Sequence, residues 1–111
     1  MTQQEIQKEL ALPLDTIRKY EKAGLLRLKE GSSEYVDSDV QHLGILDTLL
    51  KAGFTPREAK GYFDVETSRN GTAEQIRMLR QKRSQLLDTI HIKQQVLDHI
   101  DYIIWEKRKG G

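Results

Sequence analysis

The sequence predicts a mainly α-helical protein: a winged helix-turn-helix head with a small β-hairpin wing, followed by one long coiled-coil dimerisation helix. Three observations carry this. Two short helical segments stand either side of Ala11-Leu12-Pro13. Two short extended runs, 25–29 and 34–36, flank a Gly-containing turn at 30–33. After residue 71 the chain runs to 109 without proline or glycine, with apolar residues at heptad spacing.

The first helix is expected over residues 2–10. Thr2 is its N-cap, and Glu5 three residues later has capping-box spacing. Ile6 and Leu10 form its apolar pair. The second helix starts after Pro13 and stops at Gly24, the residue best able to take a left-handed stop conformation. Leu14, Ile17 and Glu21 fall on one side of it; Arg18, Lys19 and Lys22 fall on the other. Helix, three-residue turn, helix is the helix-turn-helix pattern. A short helix with an apolar stripe and a basic outer face suits a DNA major groove, and equally an ordinary solvated surface.

Asp37 or Ser38 caps a third helix running to about residue 51. Val40, Leu43, Leu46, Leu49 and Leu50 make its buried stripe, and Gly53 ends it. Thr55-Pro56-Arg57-Glu58 is a strong start signal for a fourth helix to about residue 63: N-cap, proline at the first position, glutamate at the capping-box position. Residues 68–71 form a linker. Thr72 with Gln75 predicts another capping box, opening a helix about 55 Å long. Ile76, Leu79, Leu86, Ile90, Leu97, Ile100 and Ile104 form its seam, interrupted by Arg83 and Lys93. A helix of this length draws its stability from packing, and the chain offers no second long helix, so self-association follows. Near the end the stripe widens to Tyr102, Ile103, Ile104 and Trp105, a surface for the partner's head or for another protein. The domains are therefore 1–69, the winged helix-turn-helix, and 70–111, the dimerisation helix.

The 111 residues, 37% hydrophobic and 32% charged, suit one small domain plus an extended element. With no cysteine, disulfides and thiolate metal sites are excluded. No stretch is apolar enough for a membrane span and no signal peptide is visible, so the expected location is the cytoplasm. Net charge is +1, but residues 1–71 carry ten Lys and Arg against twelve Asp and Glu, and residues 72–111 carry eight against five. Any DNA affinity must therefore come from a local basic face. His42, His91 and His99 have no cluster of partner ligands, and the scattered glycines make no phosphate-binding loop, so neither metal nor cofactor is expected. No nucleophile–base pair supports an enzyme.

Residues 16–26, Thr-Ile-Arg-Lys-Tyr-Glu-Lys-Ala-Gly-Leu-Leu, resemble the recognition-helix signature of the MerR family of bacterial transcription regulators, T-L-R-Y-Y-E-x-x-G-L-L. Arg18, Tyr20, Glu21, Gly24, Leu25 and Leu26 match; Lys19 replaces the first tyrosine. Residues 50–60 are similar to the family's L-R-x-L-G-F-S-L-E-E-I-K. The chain departs from the family at Gln7 and Ala11, where alanine and glycine are usual, at Ser32 and Ser33, which replace the first tyrosine and arginine of the wing, and at the acidic Asp15. The resemblance implies a homodimeric transcription regulator, with an antiparallel coiled coil, that binds a pseudo-palindromic promoter and distorts its spacer for RNA polymerase. It implies a short member without an effector domain. It implies DNA contacts from Arg18 and Lys19 in the groove, with Tyr20, Lys22, Ser33, Tyr35, Arg57 and Lys60 at the backbone. Tyr20 and Tyr35 have packing in the head as their alternative role, and Arg57 and Lys60 simple solvation. The rival function is a dimeric protein-interaction module that kept the fold but lost operator binding.

Overall fold

The computed structural model describes residues 1–110 and contains five helices: α1 Gln3–Glu9, α2 Leu14–Lys22, α3 Asp37–Lys51, α4 Pro56–Asp64 and α5 Gly71–Gly110. Gly111, the last residue of the expected second domain, lies outside the described residues. α1 to α4 form the head, and α5 projects from it. The radius of gyration is 20.2 Å, against about 13 Å for a compact chain of this length.

Local chemistry fixes the head's helix ends. Thr2 and Glu5 exchange hydrogen bonds in a capping box, with Glu5 N–H donating to Thr2 Oγ1 at 3.3 Å and Thr2 N–H to Glu5 Oε1 at 3.0 Å. Thr55 and Glu58 do the same at 3.1 and 2.9 Å, with Pro56 in the first turn. These backbone hydrogen bonds hold both carboxyls below the usual glutamate range. α2 and α3 end alike. Gly24 (φ +75°) and Gly53 (φ +100°) take the left-handed conformation. Leu25 N–H then reaches back to Tyr20 O at 2.8 Å, and Phe54 N–H to Leu49 O at 3.0 Å, satisfying carbonyls the helices leave open.

Six side chains, Ile6, Ile17, Leu26, Tyr35, Leu46 and Leu49, are almost fully enclosed and centre the core. Ala59 and Tyr62 close it from α4, with Phe54 from the turn that precedes that helix. Leu10 is exposed, so Ile6 alone anchors α1. On α2, of the expected side Leu14, Ile17 and Glu21, Ile17 is buried, Leu14 half-buried and Glu21 exposed, and Tyr20 is the second buried side chain.

The structure corrects three expectations. Between α2 and α3 no regular strand pair forms among the described residues: the expected hairpin reduces to isolated antiparallel bridges, Leu28 with Tyr35 and Thr2 with Glu34. Lys29 N–H donates to Glu34 O and Val36 N–H to Arg27 O, both at 2.8 Å, so the two runs meet around the Leu28–Tyr35 bridge but pair no further. Second, neither Asp37 nor Ser38 caps α3. Val36 holds the N-cap position without a side-chain cap. Its N–H is spent on Arg27 O at 2.8 Å, and Asp37 faces Lys29 Nζ at 3.4 Å. Third, α5 starts at Gly71, ahead of Thr72, and Glu74 N–H donates to Asn70 O at 3.0 Å. Gln75 caps nothing; its amide donates to Tyr62 O at 3.0 Å and ties α5 to α4.

α5 has 40 residues, about 60 Å at helical rise. Only its start touches the head. Gly71 is buried, Met78 packs on the core, and Lys82 Nζ sits 3.4 Å from Gly53 O, 3.7 Å from Glu58 Oε2 and 5.3 Å from the centre of the Phe54 ring. From residue 83 to 110 every position is exposed. No helix among the described residues is long and apolar enough to cross a membrane.

Candidate nucleic-acid interface

α2 turns Ile17 and Tyr20 inward, and the same periodicity turns Arg18, Lys19 and Lys22 outward, all three exposed. None of the three forms an ion pair among the described residues. Three uncompensated cations on one helix face are what phosphate neutralisation requires. Asp15, exposed in the first turn, is the one acidic group on this helix apart from Glu21.

Glu21 does not oppose the cations freely. The Tyr35 hydroxyl donates to its Oε1. Tyr35 is 1% exposed. Burial, then this hydrogen bond, pushes the phenol up to about 12. The pair joins α2 to the segment after the turn. Tyr20, also mostly buried, has its phenol raised by burial and by Asp47 nearby. Both tyrosines thus lie in the head core, beneath the surface that carries the cations.

Arg27 locks the turn that follows α2. Its Nε and backbone N–H both donate to Asp39 Oδ2, at 2.9 and 3.0 Å, and Nη2 donates to Oδ1 at 2.9 Å. Asp39 is buried, so the bidentate pair is a fixed joint between that turn and the N-terminus of α3. The hydrogen bonds to Asp39 raise the Arg27 guanidinium further above its ordinary value. The pair ties the segment after α2 to α3, while the Arg27 side chain stays more than half exposed. Sequence offered no signal for this pair, because twelve residues separate the partners and no local periodicity links them.

Lys60 comes to α2 from α4. Its Cε lies 3.7 Å from where a β-carbon at Gly24 would stand, so its stem runs along the turn that ends α2, while Nζ lies 3.3 Å from Asp64 Oδ2. Arg57 stands exposed in the first turn of α4 without an ion pair among the described residues. Ser33 is exposed in the turn where Ser32 N–H donates to Lys29 O at 3.1 Å and the Ser32 hydroxyl accepts from Glu34 N–H at 3.0 Å. The structure therefore brings Lys60 to the end of α2 and leaves Arg57 and Ser33 outward on separate elements. Behind Lys60, His42 stacks on Phe63 at 4.0 Å, and its Nε2 lies 3.0 Å from Glu66 Oε2. Among the described residues no three His, Asp or Glu side chains stand together as metal ligands do.

The seam residues Ile76, Leu79, Leu86, Ile90, Leu97, Ile100 and Ile104 are 40–57% exposed in the single chain.

No curated protein sequence shows a significant match. Over its full length the chain is similar to a solved structure, a transcriptional regulator of the MerR family from Bacillus thuringiensis, with a TM-score of 0.70 and 21% identity, covering 96% of this chain and 97% of that one. At that identity the likeness speaks for the fold, long helix included. The family described as MerR HTH family regulatory protein matches residues 1–66, the whole of the head and more than half of the chain. On that match the chain belongs to the MerR family of helix-turn-helix transcription regulators, DNA-binding proteins rather than enzymes.

Proposed function

We propose that the protein is a homodimeric transcription regulator that reads a pseudo-palindromic promoter with α2 and distorts its spacer so that RNA polymerase can engage. The observation that carries this is the face of Arg18, Lys19 and Lys22, exposed and unpaired on the helix that matches the family's reading helix. Arg18 and Lys19 are assigned to base edges. Lys22, Ser33, Arg57 and Lys60 are assigned to phosphates, with Lys60 shared between Asp64 and DNA. Tyr20 and Tyr35 serve the same face from below, holding α2 and, through Glu21, the turn beside it. Such a regulator works in the cytoplasm, where its DNA is.

A twofold partner sets the distance between two such faces. Uncovered apolar residues along α5 support pairing through the seam. The interrupting cations favour antiparallel strands. In a parallel, in-register pair Arg83 would face the partner's Arg83, and Lys93 the partner's Lys93. Reversed, a positions meet d positions: Arg83 lies beside the partner's Ile100, and Arg80 comes opposite the partner's Asp101.

The test is binding to duplex fragments of genomic promoters across salt concentrations. The proposal expects a steep salt slope and, for Arg18→Ala, a loss of about tenfold or more with the dimer unchanged. Equal affinity for Arg18→Ala at fixed salt contradicts it. The interaction-module alternative is favoured by Asp15 and by a serine at position 33, which brings no charge to the turn; it expects a shallow slope and weak binding to every fragment.

A further inference from the structure

The turn that ends α2, the first turn of α3, the end of α4 and the linker to α5 together line a half-open cavity of about 240 Å³. Three ion pairs build its wall. Arg27 with Asp39 is the tight one, and its three hydrogen bonds spend the Asp39 carboxylate. The other two stand at the surface. Lys60 Nζ lies 3.3 Å from Asp64 Oδ2, with side chains 46% and 62% exposed, and His42 Nε2 lies 3.0 Å from Glu66 Oε2. An exposed pair four residues apart on one helix stabilises little and opens readily. Leu25 and Phe63 add apolar wall, and Ser38 and Thr67 add hydroxyls.

Such a wall selects by charge. With Asp39 spent, what remains is one ammonium, Lys60, beside two carboxylates, Asp64 and Glu66. A bare anion would be repelled by the carboxylates, and a bare cation by Lys60 and Arg27. A neutral apolar molecule would cut all of them off from water. A molecule with both charges opens the Lys60–Asp64 pair and supplies a new partner to each side. In an α-amino acid the carboxylate and the ammonium hang from one carbon, a spacing that suits partners as close as Lys60 and Asp64. The cavity lies under the range of about 300–1,000 Å³ that drug-sized ligands occupy, as a small metabolite requires.

We propose that this cavity binds a free L-α-amino acid with an apolar side chain. Its carboxylate meets Lys60 and the Ser38 hydroxyl, its ammonium lies between Asp64 and Glu66, and its side chain rests on Leu25 and Phe63. The occupant takes Lys60 from the DNA phosphate assigned to it above, so amino acid and DNA compete. The competition rests on that assignment; the site does not.

Nuclear magnetic resonance titration of the full chain without DNA tests the site, with L-phenylalanine and L-leucine as probes. Saturable shifts are expected at the amides of Gly24, Ser38 and Thr67. The one-charge analogues 3-phenylpropionate and phenethylamine should bind about tenfold more weakly or worse. Asp64→Asn with Glu66→Gln should abolish the response while circular dichroism shows the helices intact. No shift at these amides up to the solubility limit, or equal binding of 3-phenylpropionate, overturns the site. Saturating L-phenylalanine should then raise the dissociation constant for a promoter fragment several-fold and lower the salt slope by about one, the loss of a single phosphate contact. An unchanged slope with the cavity occupied overturns the competition. A chain that binds the amino acid but no DNA refutes the DNA reading instead.

Discussion

Ile6 and Ile17 in the head are completely enclosed, whereas Ile90, Ile100 and Ile104 on α5 stay about half exposed. These are the same side chains on the same kind of helix. They differ in whether the chain folds anything over them. α1 to α4 are short, and each ends in a turn that returns the chain to the core, so every helix finds a neighbour. α5 leaves the head after Lys82 and meets nothing more of its own chain. The head therefore owes its stability to contacts within the chain. The distal helix owes its stability to whatever covers its stripe, since a helix gains more from packing than from propensity.

The junction between the two regions is the sharpest place to break this contrast. A β-carbon on Gly71 would stand 2.0 Å from Val65 O and 2.9 Å from Glu66 O, both backbone. Gly71→Ala should cost about 3 kcal/mol, measured by urea unfolding, and should displace α5 from the head. An unchanged midpoint would mean that the join is loose.

Within the head, Tyr35→Phe removes the hydrogen bond to Glu21 and should cost about 1–2 kcal/mol in the same assay. The parent protein should also weaken in alkali. Its phenol is pushed up to about 12 by folding, from an ordinary value of 10.0, so folding favours the protonated form. That stability is whole below the ordinary value and is lost as pH rises through the folded one. Tyr35→Phe should flatten this limb while leaving the helicity of residues 83–110 as it was.

The smallest effect concerns Ala11. It takes φ +53°, a left-handed conformation that costs a residue with a β-carbon. The family usually has glycine at this turn. Ala11→Gly should stabilise the head by up to about 1 kcal/mol, the relief of strain being partly offset by glycine's greater freedom when unfolded. Destabilisation would show that the turn is not strained.

Much of the head was legible because its signals are local. The Thr2/Glu5 and Thr55/Glu58 pairs, Pro56, and the stops at Gly24 and Gly53 all act within one turn of helix. What escaped was long-range. Arg27 with Asp39, Tyr35 with Glu21 and Lys82 with Phe54 join residues far apart in sequence, and no period announces them. The same blindness explains the misplaced start of α5. Thr72 and Gln75 have the spacing of a cap, but packing of Gly71 against Val65 and the pull of Tyr62 O on Gln75 began the helix earlier. The α2 cations were legible from periodicity alone; for Tyr20 and Tyr35 the sequence left two roles open, DNA contact or packing in the head, and the structure buries both.

Sedimentation equilibrium of the unmodified chain from nanomolar to high micromolar concentration, read together with ellipticity at 222 nm, tests the central claim most directly. The account predicts twice the chain mass across most of that range, and a loss of helical signal as dilution separates the copies. A single-chain mass at the highest concentration, with the long helix fully formed, would contradict it.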